Sequence, residues 1–332
     1  SGGAIKLTAT DNSRITSDGG GAAVSVGVGG GGGVGISVGY SVSINSIQNT
    51  VRAYADGSRL TATGQNIEIG ANSATRIDAL NVGAALAVGA GTVGVSAAGS
   101  GGNSTNTVRN TVEAYAVGNS VLSTIGSGNL TLAATDVATS TAKTVATSIS
   151  FAAGLGAGAV GVSAALASND IANTVRAFSD VSTINSAGTI DVTASATPTI
   201  TALSVAATFS VAASPIGAAL SGAGADSRNS INNTVESHVQ GGSATAAGKI
   251  AVTASENGSI SADVGSGAVS AGLIGGSIGI SLATNTISSS IRSHVQNASI
   301  TSTQNNIEVT AQVLDAVSTL AVATSIALGV GG

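Results

Sequence analysis

Polar and apolar positions alternate along most of this chain, and the alternation returns in the same order. Residues 49–55 read Asn-Thr-Val-Arg-Ala-Tyr-Ala, with Val51, Ala53 and Ala55 on one face and Arg52 and Tyr54 on the other. A period of two is that of a strand with one buried face. The motif recurs at 110–115 (Asn-Thr-Val-Glu-Ala-Tyr), 173–178 (Asn-Thr-Val-Arg-Ala-Phe), 233–238 (Asn-Thr-Val-Glu-Ser-His) and 289–294 (Ser-Ser-Ile-Arg-Ser-His). The central aliphatic residues Val51, Val112, Val175, Val235 and Ile291 are separated by 61, 63, 60 and 56 positions. Self-similarity at a fixed period marks one supersecondary unit used many times.

Two further parts complete the unit. After a turn such as Asp56-Gly57-Ser58 and a short strand, a second motif appears six times, as in Ile5-Lys6-Leu7, Ile67-Glu68-Ile69 and Leu130-Thr131-Leu132. Each copy has an alanine two places on (Ala9, Ala71, Ala134, Ala194, Ala254, Ala311). The pattern predicts a strand with the aliphatic pair and the alanine inward and the variable middle residue in water. The third part is long and uncharged. Leu80, Val82, Ala84, Leu86 and Val88 share one face, and Asn81, Gly83, Ala85 and Ala87 the other. A glycine- or proline-containing break follows (29–33, 89–91, 156–158, 214–215, 275–276), then a second strand. Strand, glycine turn, strand predicts a hairpin or a tight corner. Since neither face carries charge, the pattern predicts that both are covered.

The fold class expected is therefore all-β: a parallel β-solenoid of about 60-residue repeats in one continuous array. The units fall at 5–66, 67–129, 130–189, 190–249, 250–306 and a partial 307–332. Scarce helix formers and recurrent glycine argue against helix. The position after the anchor aliphatic bears on how the repeats stack. It reads Arg52, Glu113, Arg176, Glu236, Arg292, alternating in sign at every step. Strands in a stack are about 4.8 Å apart, near enough for these charges to pair. Three coils per repeat would set them about 14 Å apart, beyond the reach of most screened interactions. One wide coil per repeat is expected, giving an array about 27 Å long. The same stacking predicts an Asn column (Asn49, Asn110, Asn173, Asn233), with amides bonded along the axis. It also predicts a ring column of Tyr54, Tyr115, Phe178, His238 and His294.

Composition narrows the function. Of the 332 residues, 8% are charged and 2% aromatic, against about 25% charged in ordinary soluble domains. With mean hydropathy of +0.43 and net charge of -5, the chain is too apolar for a disordered one. No basic cluster offers a footprint for nucleic acid or anionic lipid. The uncharged runs 79–108 and 145–169 have strand periodicity, so no membrane insertion is expected of them. Zero Cys removes disulfide and thiolate chemistry, and zero Met, with both ends inside repeats, reads as a segment of a longer protein. The glycine run at 29–33 lacks the Lys-Ser/Thr ending of a phosphate loop. His238 and His294 have no obvious catalytic partners, and the carboxylates are scattered singly. No catalytic, metal or cofactor site is expected, and the chain reads as a non-enzyme.

The sequence Asn-Thr-Val-x-Ala-aromatic, followed by Ile-x-Val-x-Ala and a Gly/Ala/Val run, resembles the long repeats of giant bacterial surface proteins. These are the filamentous-haemagglutinin-like adhesins, leukotoxin-like autotransporters and related β-solenoid exoproteins. The resemblance implies an extracellular or cell-surface stalk, filament or adhesin. Its expected partners are further copies of itself and, in the adhesive reading, glycan or another cell. A polysaccharide-active β-helix enzyme is the remoter alternative.

Overall fold

The computed structural model describes residues 2–329, and they are all-β with no helix. Every ladder is parallel, and each strand pairs with the strand one sequence repeat further on. Val51 pairs with Val112, Val112 with Val175, Val175 with Val235, and Val235 with Ile291. The pairing runs without a register shift except at the tip between Gly29 and Gly32.

Each repeat contributes three short strands around a core. In the second, these are the head of Ile67–Val108, then Thr111–Val117 and Val121–Ile125. They face one another because each has a single apolar face. Ile67, Ile69 and Ala71 meet Val112, Ala114, Ala116 and Leu122, all fully buried, in one cluster that continues through every repeat. Burying an aliphatic side chain of this size contributes about 1.5–3 kcal/mol. Turns with left-handed residues separate the strands, with Gly57 at φ 55° and Gly118 at φ 68°.

Between the first and second core strands the chain makes a long excursion, the arm. It leaves through strands such as Thr199–Ala213 and returns through strands such as Ile216–Ile231. Isoleucines close its neck, with Ile77, Ile200 and Ile260 on the way out packed against Val108, Ile171 and Ile231 on the way back. The fold-back is a corner and not a hairpin. The outgoing strand of each arm bonds only to outgoing strands of neighbouring repeats, and the returning strand only to returning ones. The arm is thus two parallel sheets lying face to face. The tips also fall elsewhere than the glycines predict in two repeats. They lie at Gly154-Leu155 and at Leu273, whereas 156–158 and 275–276 belong to returning strands.

The small face of each sheet is the one turned inward. Asn81, Ala85 and Ala87 of the outgoing strand and Ser96 and Ala98 of the returning one are buried. Stacked sheets ordinarily sit about 10 Å apart, but here glycine lets backbones touch. A Cβ on Gly89 would lie 2.0 Å from the Val95 carbonyl oxygen, and one on Gly83 2.1 Å from that of Gly101. Hydroxyls bond across the gap, as where Thr208 Oγ1 donates to the Gly222 carbonyl at 2.9 Å and Ser204 Oγ to that of Asp226 at 2.9 Å.

The expectation that both faces are covered is corrected. The large aliphatic face is open, with Val26 64% and Ile36 65% exposed. Only small side chains admit the close approach and the hydroxyl contacts, so the bulky row is left outside.

Candidate functional site: the stacked columns

Four columns of side chains run across the repeats. The first is ionic. The 50–56 strand and its copies hold their alternate residues outward, so Arg52 lies beside Glu113, Glu113 beside Arg176, and Arg176 beside Glu236. Arg52 Nε is 2.7 Å from Glu113 Oε2, Arg176 Nη1 is 4.0 Å from Glu113 Oε1, and Arg176 Nε is 3.3 Å from Glu236 Oε2. The glutamates are buried between half-exposed arginines. Hydrogen bonding and charge from Glu113 hold the Arg52 guanidinium above its usual range. The column stops there. Arg292 sits in register beside Glu236 but forms no ion pair among the described residues, and His294 Nδ1 lies 4.0 Å from Glu236 Oε1 instead.

The second column is the rings. Tyr54, Tyr115, Phe178, His238 and His294 stack with centroids 5.0, 4.8, 4.9 and 4.9 Å apart and planes within 17° of parallel. Spacing follows from the inter-strand distance, which is also a stacking distance for rings. Burial pushes the His238 pKa down, against the charges of Asp180 and Glu236, so the imidazole is held neutral beside His294. Glu236, His238 and His294 offer ligand atoms within 4.8 Å of one another, the one such trio among the described residues. The two imidazoles are stacked nearly parallel, 4.9 Å apart, so their in-plane nitrogen lone pairs do not converge on one point. Glu236 is also engaged by Arg176. The trio as it stands is no coordination sphere.

The third column holds the predicted asparagines, with different bonding from that expected. Their amides do not bond to each other. Each Oδ1 accepts from the backbone N–H of the preceding copy: Asn49 N to Asn110 at 3.1 Å, Asn110 N to Asn173 at 2.7 Å, and Asn173 N to Asn233 at 2.8 Å. Each Nδ2 turns to a corner residue at the end of the core strand. Asn49 donates to Asp11 at 2.8 Å, Asn110 to Ser73 at 3.4 Å and to Thr75 just beyond it at 3.1 Å, Asn173 to Asp136 at 2.7 Å and Asn233 to Glu256 at 3.0 Å. The corner positions in register are Asp11, Ser73, Asp136, Ala196 and Glu256. Acids occupy every second level, so no two buried carboxyls are adjacent. Burial pushes the carboxyls of Asp136 and Glu256 up, against the polar groups of Ser73 and Asn173 for the first and of Ser289 and Asn233 for the second.

The fourth column was missed in the sequence. Asn45, Asn106, Asn169, Asn229 and Asn285 stand four residues before each motif copy, at the base of the returning arm. Here the amides do form a ladder, Nδ2 to Oδ1 at 2.9, 3.0, 2.9 and 2.7 Å. The signal was legible as Asn-x-Ile/Val-x-Asn or -Ser in every copy.

Comparison with known proteins returned nothing: no family model matches the chain, and no curated protein or solved structure is similar to it.

Proposed function

We propose that this chain is a structural β-solenoid, one wide coil per repeat of about 60 residues, serving as the shaft of an extracellular filament or giant surface adhesin. The observation that carries the reading is the fate of the polar groups. Nearly every side chain that resembled chemistry is spent on its copy in the next repeat, as an ion pair, a stacked ring or an amide acceptor. Carboxylates so occupied are poor acids, bases or nucleophiles, which favours a non-enzyme. The extracellular or surface placement rests on the resemblance of the repeat to those of large bacterial exoproteins.

Self-assembly follows from the edges. Within the described residues the strands Ile5–Asp11 and Ile307–Val313 each pair on one side, and their other edge accepts a next coil, from the same chain or from another copy. An open edge of this kind is a template for another strand of the same pattern. Head-to-tail pairing of copies extends the stack as a heterologous contact that does not close. The adhesive alternative, with glycan or another cell as partner, has one feature in its favour: Tyr54 is 50% exposed at the end of the ring column. Tyr115, Phe178 and His238 have both faces occupied by neighbouring rings and offer none to a sugar. Electron microscopy of the purified chain tests the shaft reading. Fibres lengthening with concentration are expected, and a population of dispersed compact particles at every concentration contradicts it.

A further inference from the structure

We propose that Glu236, His238 and His294 bind a divalent transition-metal ion of the zinc and copper class, held across two neighbouring repeats. The proposal uses an interaction that the shaft reading does not need, and it does not rest on that reading. It begins from an orphaned atom. His238 is 8% exposed, and its Nδ1 has no hydrogen-bond partner. Buried polar atoms are nearly always met by something, so an unmet one calls for an explanation.

Asp180 decides which nitrogen of His238 carries the proton. Burial keeps the ring neutral, with one N–H and one lone pair. Nε2 lies 3.3 Å from Asp180 Oδ1, a carboxylate oxygen with no other partner. The proton therefore stays on Nε2 and the lone pair on Nδ1. A metal-binding histidine is arranged in this way, its far nitrogen oriented by a carboxylate. Glu236 is divided likewise. Its Oε2 is engaged by Arg176 at 3.3 Å, whereas Oε1 faces His294 Nδ1 at 4.0 Å. His294 stands in register beside His238, one strand on. The register thus brings ligand atoms of two imidazoles and a carboxylate within 4.8 Å of one another.

The parallel stack is the metal-free arrangement. A tetrahedral ion with bonds of about 2.0–2.1 Å spaces its ligand atoms about 3.4 Å apart, so the trio closes by roughly an ångström on loading. His238 lies between the rings of Phe178 and His294, 4.9 Å from each. The movement therefore falls to His294, whose side chain is 36% exposed. A hollow of about 470 Å³ beside it, bounded by Ile291, Ser293 and Ala311, gives the ring room to tilt until the two lone pairs meet. Three protein ligands leave a fourth position to water. The surrounding charges select the metal. Asp180 and Glu236 favour a cation, whereas Arg176 and Arg292 oppose one, so charge alone does not hold it. Binding depends on the bonds to nitrogen, which favours Cu²⁺, Ni²⁺ and Zn²⁺ over Ca²⁺ and Mg²⁺.

Isothermal titration of the untagged chain with Zn²⁺ tests the proposal, with circular dichroism as the check on folding. The wild type is expected to bind a single Zn²⁺ and to give no heat with Ca²⁺. His238→Phe and His294→Phe keep a ring in the column, as Phe178 does, and each is expected to weaken Zn²⁺ binding at least tenfold. Tyr54→Phe, at the far end of the column, is expected to leave it unchanged. Electron paramagnetic resonance of the Cu²⁺-loaded wild type is expected to show two imidazole nitrogens. The chain has only these two histidines, so the signal is unambiguous, and it covers a failure of either variant to fold. Fibre formation is scored separately and belongs to the shaft reading alone. A wild type that binds no Zn²⁺ overturns the proposal, as does Zn²⁺ binding unaltered in both phenylalanine variants, or a copper spectrum with fewer than two imidazole nitrogens.

Discussion

Asn169 shows how much one residue can carry in this molecule. Its Oδ1 accepts from Asn106 Nδ2 at 3.0 Å and from Ser140 Oγ at 2.7 Å, and its Nδ2 donates to Asn229 at 2.9 Å, all in a buried setting. Asn169→Ala leaves those neighbours with unmet bonds and is expected to lower stability by about 1–3 kcal/mol. Urea unfolding checks this, and an unchanged midpoint would show that the ladder is incidental. Asp136 is the opposite case. Burial raises its pKa, so its carboxyl favours the fold most when protonated. That contribution is present below the unfolded-state value, near 4, and is lost as pH rises through the raised folded value. Asp136→Asn keeps an acceptor for Asn173 and is expected to be more stable than wild type at neutral pH, with the gap closing in acid. A less stable variant at neutral pH would mean that the charge is needed. The motif asparagines were visible in the sequence, but the bonding of their amides was not. Nothing in the letters says that a backbone N–H lies closer than the next amide.

At the level of elements, the arm was legible as two strands and a break, and its sheet faces were assigned correctly as large and small. Which face lies inside was not legible, because hydrophobicity argues for burying Val and Leu. Close packing decided otherwise, through glycine. Gly89→Val places a side chain 2.0 Å from the Val95 carbonyl and is expected to part the two sheets. Hydrogen exchange should then show lost protection in 79–101 with protection retained in the core strand 130–135; equal protection in both would contradict the packing account. The turn after the second core strand holds a different strain. Gly57, Gly118 and Gly241 adopt positive φ there, but the third repeat has Val181, a branched residue at φ 46°. Such a conformation costs an L-residue about 1–2 kcal/mol. Val181→Gly is therefore expected to raise the thermal midpoint, and a lowered midpoint would show that the side chain makes up the cost elsewhere.

For the whole molecule, the alternation of Arg52, Glu113, Arg176 and Glu236 was the sequence feature that pointed to neighbours in space. It did so because like charges at strand spacing repel, whereas distant charges are indifferent to sign. Arg292 continued the alternation on paper but not in contact, since His294 stands nearer to the Glu236 carboxylate. The two-repeat rhythm was present in the corner acids as well. It became readable only when register showed which positions share a row. The central claim is that each repeat is the immediate neighbour of the next. The most direct measurement uses the absence of native cysteine. Thr50 and Ser290 are both exposed, and the path of pairing from one to the other runs through Thr111, Thr174 and Thr234. Nitroxides on Thr50→Cys/Ser290→Cys should give a dipolar distance of about 19 Å, four strand spacings, widened only by the label linkers. A distance near 58 Å, twelve spacings, would mean three coils per repeat and would contradict the account.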